Sequence, residues 1–88
     1  MKKIDYGMLP YHMQEGMRNY IEHGILPGGF LTAVLENDLM GAISKADDFN
    51  KRRLHDYGMF LYNEVPASCF GSPEAVQKWI ASFGKEQE

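Results

Sequence analysis

The stretch from Gly24 to Asn50 constrains the fold most, because its apolar residues recur with a helical period and its glycine, proline and acidic residues punctuate that period. The first helix of the stretch is predicted to begin at Pro27, since the fixed φ of proline suits the first helical residue. The apolar face of that helix consists of Phe30, Leu31, Val34 and Leu35.

Asn37 and Asp38 predict a break after that helix, because asparagine tolerates a left-handed backbone and aspartate caps a following helix. Asp47 and Asp48 are predicted to cap a third helix in the same way. The helix between these two points is predicted to bury Leu39, Met40, Ile43 and Ala46.

The pair Gly28-Gly29 lies at the predicted start of a helix, although glycine is a poor helix former. Two interpretations explain its presence there. One is a close crossing with another helix, which a missing side chain permits. The other is space kept for a ligand, with backbone N–H groups free to meet an anion. The sequence leaves both open.

Three further helices are predicted around the central stretch. The first begins at Pro10 and ends before Gly24, a residue type suited to a left-handed helix end. The longest runs from about Asp48 to Glu64, and the last runs from Ser72, an N-cap candidate, to Gly84, which closes it. The residues predicted to face the core from these helices are Met13, Met17, Tyr20, Ile21, Phe49, Leu54, Tyr57, Phe60, Leu61, Val76, Trp79, Ile80 and Phe83.

Because strand-like alternation is missing throughout, the predicted fold is all-α: a compact single domain of about five helices in an orthogonal or antiparallel bundle. Residues 1–9 are predicted to be an irregular lead-in, residues 10–84 the helical domain and residues 85–88 a frayed tail.

The charge and composition narrow the function classes. A net charge of −3 in 88 residues provides no basic field, so we expect no general affinity for nucleic acid. An apolar run long enough to span a membrane is missing. Lys2 and Lys3 are not followed by the apolar core of a secretory signal, so we expect a cytoplasmic protein.

The residue types that usually act in catalysis or bind metals form no known catalytic or metal-binding motif. The histidines stand in no metal-ligand pattern, and Cys69 has no base at a fixed spacing, so a buried thiol is favoured over a nucleophile. We therefore predict no catalytic residues, no metal and no cofactor, and hence a protein that is not an enzyme. A catalytic site assembled from distant residues stays open as an alternative.

The aromatic and methionine residues exceed what a small core needs, which is typical of an interface or of stacking against a flat ligand. If the ligand is a nucleotide, arginines are the candidates for phosphate, exposed tyrosines for stacking and asparagines for a base edge. The predicted ligand-binding residues are Arg18, Arg52, Arg53, Tyr11, Tyr62, Asn37 and Asn63.

With these motifs, the chain resembles a family of small proteins encoded by tailed bacteriophages and prophages. The resemblance covers about residues 15–82, and Phe70 stands where the family pattern has tryptophan. The matching residues are Gly24-Ile25, Pro27 to Leu31, Ala33 to Leu39, Ala46-Asp47, Asn50, Phe60 to Asn63, Pro66, Gly71 to Glu74, Val76 and Trp79. The resemblance implies no catalytic residues and no settled activity.

Phage proteins of this size are often accessory factors expressed against the host, which is an argument by association. It leads us to expect a counter-defence protein, a homo-oligomer that either blocks a host defence protein or sequesters a cyclic-nucleotide-like immune signal. The alternative is a phage regulatory or structural module that binds another protein and no small ligand. A third hypothesis is a DNA-binding helix-turn-helix with a recognition helix near Lys51, which the acidic balance disfavours.

Overall fold

The computed structural model describes the backbone of residues 4–86 and the side chains of residues 4–84. Within that part all regular elements are helices and there are no strands, so the predicted all-α class is confirmed. The α-helices are α1 (Tyr11–His23), α2 (Gly29–Leu35), α3 (Leu39–Lys45), α4 (Asp48–Lys51), α5 (Leu54–Glu64) and α6 (Pro73–Glu86). Two 3-10 helices, Tyr6–Met8 and Ala67–Cys69, precede α1 and α6.

The predicted caps of α3, α4 and α6 are confirmed. The Asp38 carboxylate accepts the Gly41 backbone N–H at 2.9 Å, and the Asp47 carboxylate accepts that of Asn50 at 2.7 Å. The Ser72 hydroxyl accepts the Ala75 backbone N–H at 3.0 Å. Each cap satisfies one of the N–H groups that the first turn of a helix leaves without a partner.

The predicted break between α2 and α3 and the predicted end of α1 are also confirmed. Asn37 has a φ of 62°, and Gly24 has a φ of 68°. The Gly24 N–H donates to the Tyr20 carbonyl at 3.0 Å and the Ile25 N–H to the Asn19 carbonyl at 3.3 Å, which satisfies two carbonyls at the end of α1.

Three predicted helix boundaries are wrong. The helix predicted from Asp48 to Glu64 is broken at Arg52 and Arg53 into α4 and α5. Helix α2 begins at Gly29 rather than Pro27, with Gly28 as an extended N-cap. Helix α6 continues through Gly84 to Glu86, since a glycine ends a helix only when its backbone turns left-handed, and Gly84 has no positive φ.

The N-terminal residues are more ordered than predicted. Tyr6–Met8 forms a 3-10 helix, and the side chains of Tyr6 and Leu9 belong to the core. The prediction of an irregular lead-in is therefore wrong for these residues. Residues 1–3 and 87–88 lie outside the described part, so the predictions made for them stay predictions.

Two hydrogen bonds join segments of the core that are distant in sequence. The Tyr20 hydroxyl donates to the Cys69 carbonyl at 2.7 Å, and the Trp79 indole N–H donates to the Tyr20 carbonyl at 3.0 Å. These bonds join α1, the second 3-10 helix and α6. The Phe30 and Tyr57 rings pack edge to face at 5.1 Å between α2 and α5.

Two predicted core faces point outward instead. Leu39, Met40 and Ile43 are exposed by 63%, 73% and 38%, while Ala42 is buried and Ala46, of the same predicted face, is buried as expected. Helix α3 therefore turns its small residues toward α2 and leaves its large apolar side chains on the surface. Phe49 is also exposed by 48%, because the break after α4 ends the face it was predicted to share with α5.

Candidate functional site

An open pocket lies where α2, α3 and α5 meet, and its volume is about 350 Å³. Its residues are mostly apolar: Ala33, Val34, Asn37, Asp38, Leu39, Ala42, Leu54, Tyr57, Gly58, Leu61, Tyr62, Phe70 and Gly71. Pockets that bind small ligands have this composition, with apolar walls and a few polar groups that fix orientation.

The polar groups of the pocket come from two elements. Asn37 and Asp38 form the corner between α2 and α3, where the left-handed backbone of Asn37 turns the chain. Tyr62 extends from α5 with its side chain 83% exposed. Together they offer an amide, a carboxylate and a phenol to a bound group.

Asp38 determines the charge of the pocket. Among the described residues that line it, Asp38 is the one acidic side chain, and lysine, arginine and histidine are missing. One carboxylate oxygen accepts the Gly41 N–H, so the side chain is held in place by the first turn of α3. The pocket therefore favours neutral and cationic groups over anions.

Gly58 keeps the α5 side of the pocket open. It lies inside a helix, where glycine costs about 1 kcal/mol relative to alanine. A Cβ at this position would meet nothing within 4 Å, so packing does not require a glycine here. Because Gly58 has no side chain, the pocket is open on the side of α5.

The pair Gly28-Gly29 lies away from this pocket, and only Gly29 comes close to a neighbouring helix. A Cβ on Gly28 would meet nothing within 4 Å, and one on Gly29 would meet only the Lys45 side chain, at 3.3 Å. Neither residue lines the pocket. The close approach occurs at Gly24, where a Cβ would stand 2.5 Å from a ring carbon of Phe83.

Arg18 lies in a second groove of about 420 Å³, formed by the N-terminal segment and α1. Its guanidinium stands 4.8 Å from the centre of the Tyr6 ring, so its charge is held against an aromatic face. The Tyr6 hydroxyl donates to the Glu22 carboxylate at 2.9 Å. Asp5 also lines this groove, which reduces its attraction for an anion.

A third surface joins the start of α1 to α4. The His12 ring packs on the Phe49 ring at 5.8 Å, and the Arg53 guanidinium stands 4.4 Å from the centre of that same ring. The Arg53 guanidinium also pairs with Asp56 at 3.7 Å. Tyr11, exposed by 90%, precedes His12. We call His12, Phe49 and Arg53 the aromatic-cation cluster.

The structure brings the predicted ligand-binding residues together only in part. Asn37 and Tyr62 line the pocket, Arg18 lines the second groove, and Arg53 belongs to the aromatic-cation cluster. Tyr11 is exposed at the start of α1. Arg52 lies in the break before α5, and Asn63 follows Tyr62 on α5 without lining the pocket.

Sequence reasoning missed Gly58 and placed Leu39 in the core, although both line the pocket. A signal for Gly58 was present: it is a glycine inside a helical period, where glycine weakens the helix. Nothing in the sequence indicated that the Leu39 side chain points away from the core.

Cys69 is fully buried, and burial raises the pKa of its thiol to about 12. The thiol therefore stays protonated at neutral pH and is a poor nucleophile. No group of three or more histidine, cysteine, aspartate or glutamate side chains among the described residues could hold a metal ion. In the same part of the chain, no helix is long and apolar enough to cross a membrane.

The break at Arg52 and Arg53 also bears on DNA binding. The basic recognition helix proposed near Lys51 is interrupted there, so its basic residues fall on the last turn of α4 and the following break. A helix-turn-helix needs a continuous helix in the major groove.

The fold and pocket define a small all-α protein with one mostly apolar pocket described at the surface of α2, α3 and α5. Comparison with protein-family models, curated proteins and solved structures gives no match.

Proposed function

We propose that the chain is a phage accessory protein that acts by binding in the host cytosol and counters a host defence, with blocking of a defence protein as its mode. The supporting observation is the apolar pocket lined by the exposed side chains of Leu39 and Tyr62, with the exposed Met40 next to Leu39 on α3. Apolar and aromatic side chains around a pocket are typical of the centre of a protein interface.

Charge complementarity favours a particular kind of partner. Asp38 is the charged residue of the pocket, and the chain carries a net charge of −3. The partner is therefore an apolar protein segment that places a lysine or arginine beside Asp38. A phosphate group would find no cationic side chain in this pocket. A protein partner is therefore favoured over a nucleotide at this site.

The test is a plaque assay in bacterial strains that each carry one defence system, infected with a phage that the system restricts. Expression of the chain should restore plaques in one of the strains. The double variant Leu39→Glu/Met40→Glu should abolish the rescue, because it places charge on an apolar contact surface. The matched control is Ile25→Glu/Leu26→Glu, which changes two exposed apolar residues that do not line the pocket.

Rescue in no strain, or equal loss in both double variants, would reject the proposed mode. The alternative, a regulatory or structural phage protein, predicts a different result. Removing the gene from a phage would then lower its yield in hosts that carry no defence system.

A second candidate is sequestration of a cyclic-nucleotide-like signal between subunits of a homo-oligomer. Two exposed groups favour it, since the Tyr11 ring offers a stacking face and Arg53 a guanidinium. Native mass spectrometry of the protein purified from cells tests it. A multimer that releases a nucleotide mass on denaturation supports sequestration, and a multimer or monomer without added mass contradicts it.

A further inference from the structure

We propose that a second copy of this chain docks on α3, in an antiparallel pairing of the two α3 helices, and thereby covers the surface that binds the defence protein. The inference rests on the proposed function only for the identity of the covered surface. The pairing itself depends on the exposed apolar side chains of α3, on the spacing of its charges and on its length.

The exposed apolar side chains of α3 lie together on one face. Met40 and Ile43 are three residues apart, which places them on the same side of the helix, and Leu39 lies beside them. Ala42 is buried on the opposite side, where α3 packs against α2. The apolar face is therefore free to contact another molecule, and its removal from water favours association.

The charges at the two ends of α3 favour a second copy as the occupant. Asp38 caps the start of the helix, and Lys45, its last residue, follows seven residues or two turns later on the same side. Both side chains are exposed, and neither forms an ion pair with another described residue. An antiparallel pair brings the Asp38 carboxylate of each copy beside the Lys45 ammonium of the other. The chain thus supplies the lysine that this surface requires of a partner.

A two-fold axis through the middle of α3 brings the apolar side chains together in the same arrangement. The midpoint between Asp38 and Lys45 lies between Gly41 and Ala42. An antiparallel pairing centred there places Met40 of each copy opposite Ile43 of the other. The charge contacts and the apolar contacts therefore require the same register, which is the self-complementarity of an interface between identical copies.

The short length of α3 limits the strength of this association. The helix has seven residues, so the contact belongs with the small interfaces, those below about 1,200 Å², which are weak and transient. We expect a dissociation constant between about 10 µM and about 1 mM. A contact of this strength is readily exchanged for a defence protein, since the two occupants compete for Leu39 and Met40.

Sedimentation velocity of the purified full chain, at concentrations from about 10 µM to about 1 mM, measures the self-association. The unchanged chain should shift from monomer to dimer across this range. Lys45→Glu should weaken dimerisation at least about fivefold, because two attractive contacts in each dimer become repulsive. Lys51→Glu is the matched control, since it makes the same charge change at the last residue of α4 and should leave dimerisation unchanged.

A double-mutant cycle shows whether Asp38 and Lys45 meet across the interface. Asp38→Asn keeps a good N-cap residue and Lys45→Gln keeps a good helix former, so both variants should fold. Each should weaken dimerisation about twofold to fivefold, and the double variant should lose no more than the more affected single variant. Additive losses would show that the two charges act separately and would overturn the antiparallel pairing.

A chain that stays monomeric at about 1 mM, or equal dimerisation by Lys45→Glu and Lys51→Glu, would also overturn the pairing. The plaque assay tests the covering of the surface. Lys45 does not line the pocket, so Lys45→Glu should restore plaques at least as well as the unchanged chain. Loss of rescue by Lys45→Glu but not by Lys51→Glu would show that the dimer is the active form. A chain that dimerises as expected but rescues no strain would reject the proposed function and not the pairing.

Discussion

At the scale of single residues, Asn50 explains why the chain breaks between α4 and α5. Its side chain is 3% exposed and accepts the Tyr57 hydroxyl at 2.8 Å. Its backbone carbonyl accepts the Arg53 N–H at 3.0 Å, a shorter loop than a continuing α-helix forms. A buried amide needs its partner, so this hydrogen bond favours the break over a straight helix.

Tyr57→Phe should lower the free energy of unfolding by about 1–3 kcal/mol, because the Asn50 side chain loses its buried donor. Urea denaturation at neutral pH measures the change. Tyr62→Phe is the control, since that side chain is 83% exposed, and it should stay within about 0.5 kcal/mol of the unchanged protein. Equal effects of the two substitutions would show that the Asn50 bond does not stabilise the fold.

At the scale of elements, the end of α1 is coupled to the packing of α6. Gly24 ends α1 in a left-handed conformation, and the Phe83 ring lies against the space where a side chain would be. Phe83 in turn packs edge to face on Trp79 at 5.5 Å, and Trp79 donates to the Tyr20 carbonyl of α1. One glycine therefore serves both as a cap and as a contact surface for another helix.

Gly24→Ala should lower the free energy of unfolding by at least about 1–2 kcal/mol, which is the cost of a left-handed backbone for a residue with a Cβ. Displacement of the Phe83 ring adds to this cost. Thermal unfolding measures the effect. Gly84→Ala adds a methyl group within α6 where space is open, so it should leave the midpoint unchanged or raise it. A Gly24→Ala midpoint equal to that of Gly84→Ala would contradict the coupling.

At the scale of the whole molecule, the core holds several weak acids in their protonated form. Tyr6, Tyr20, Tyr57 and Cys69 are buried, and burial is the main cause that raises the pKa of each side chain above its ordinary value. For Tyr6, the hydrogen bond to Glu22 raises the pKa further. These groups ionise readily only when the chain unfolds.

The free energy of unfolding should therefore fall as the pH rises above the ordinary pKa values of 9.0 for cysteine and 10.0 for tyrosine. In that range the unfolded chain has lost protons that the folded chain retains, so unfolding becomes more favourable with pH. Each group contributes a slope of up to about 1.4 kcal/mol per pH unit.

Urea denaturation between about pH 8 and about pH 11 tests this linkage. Tyr20→Phe should make the slope shallower by removing one buried phenol, whereas Tyr62→Phe, which removes an exposed one, should leave it unchanged. Stability that stays constant across this range would contradict the predicted linkage.

The sequence by itself determined the all-α class and the caps at Gly24, Asn37, Asp38, Asp47 and Ser72. These features depend on the conformational preferences and hydrogen bonds of neighbouring residues, which are the same wherever the segment lies in the fold. Asn37 and Tyr62 were likewise proposed for ligand binding from their residue types, and they share a pocket.

Only the tertiary structure decided which face of α3 is buried, where the helix after Asp47 breaks, and that Gly58 opens a pocket. Helix α3 has apolar residues on more than one face, so its sequence pattern does not decide whether Leu39 or Ala42 is buried. The choice depends on how α3 packs against α2, and the break is accompanied by the buried bond from the Tyr57 hydroxyl to the Asn50 side chain. Contacts between segments distant in sequence select among locally equivalent arrangements, and the pocket is a product of that selection.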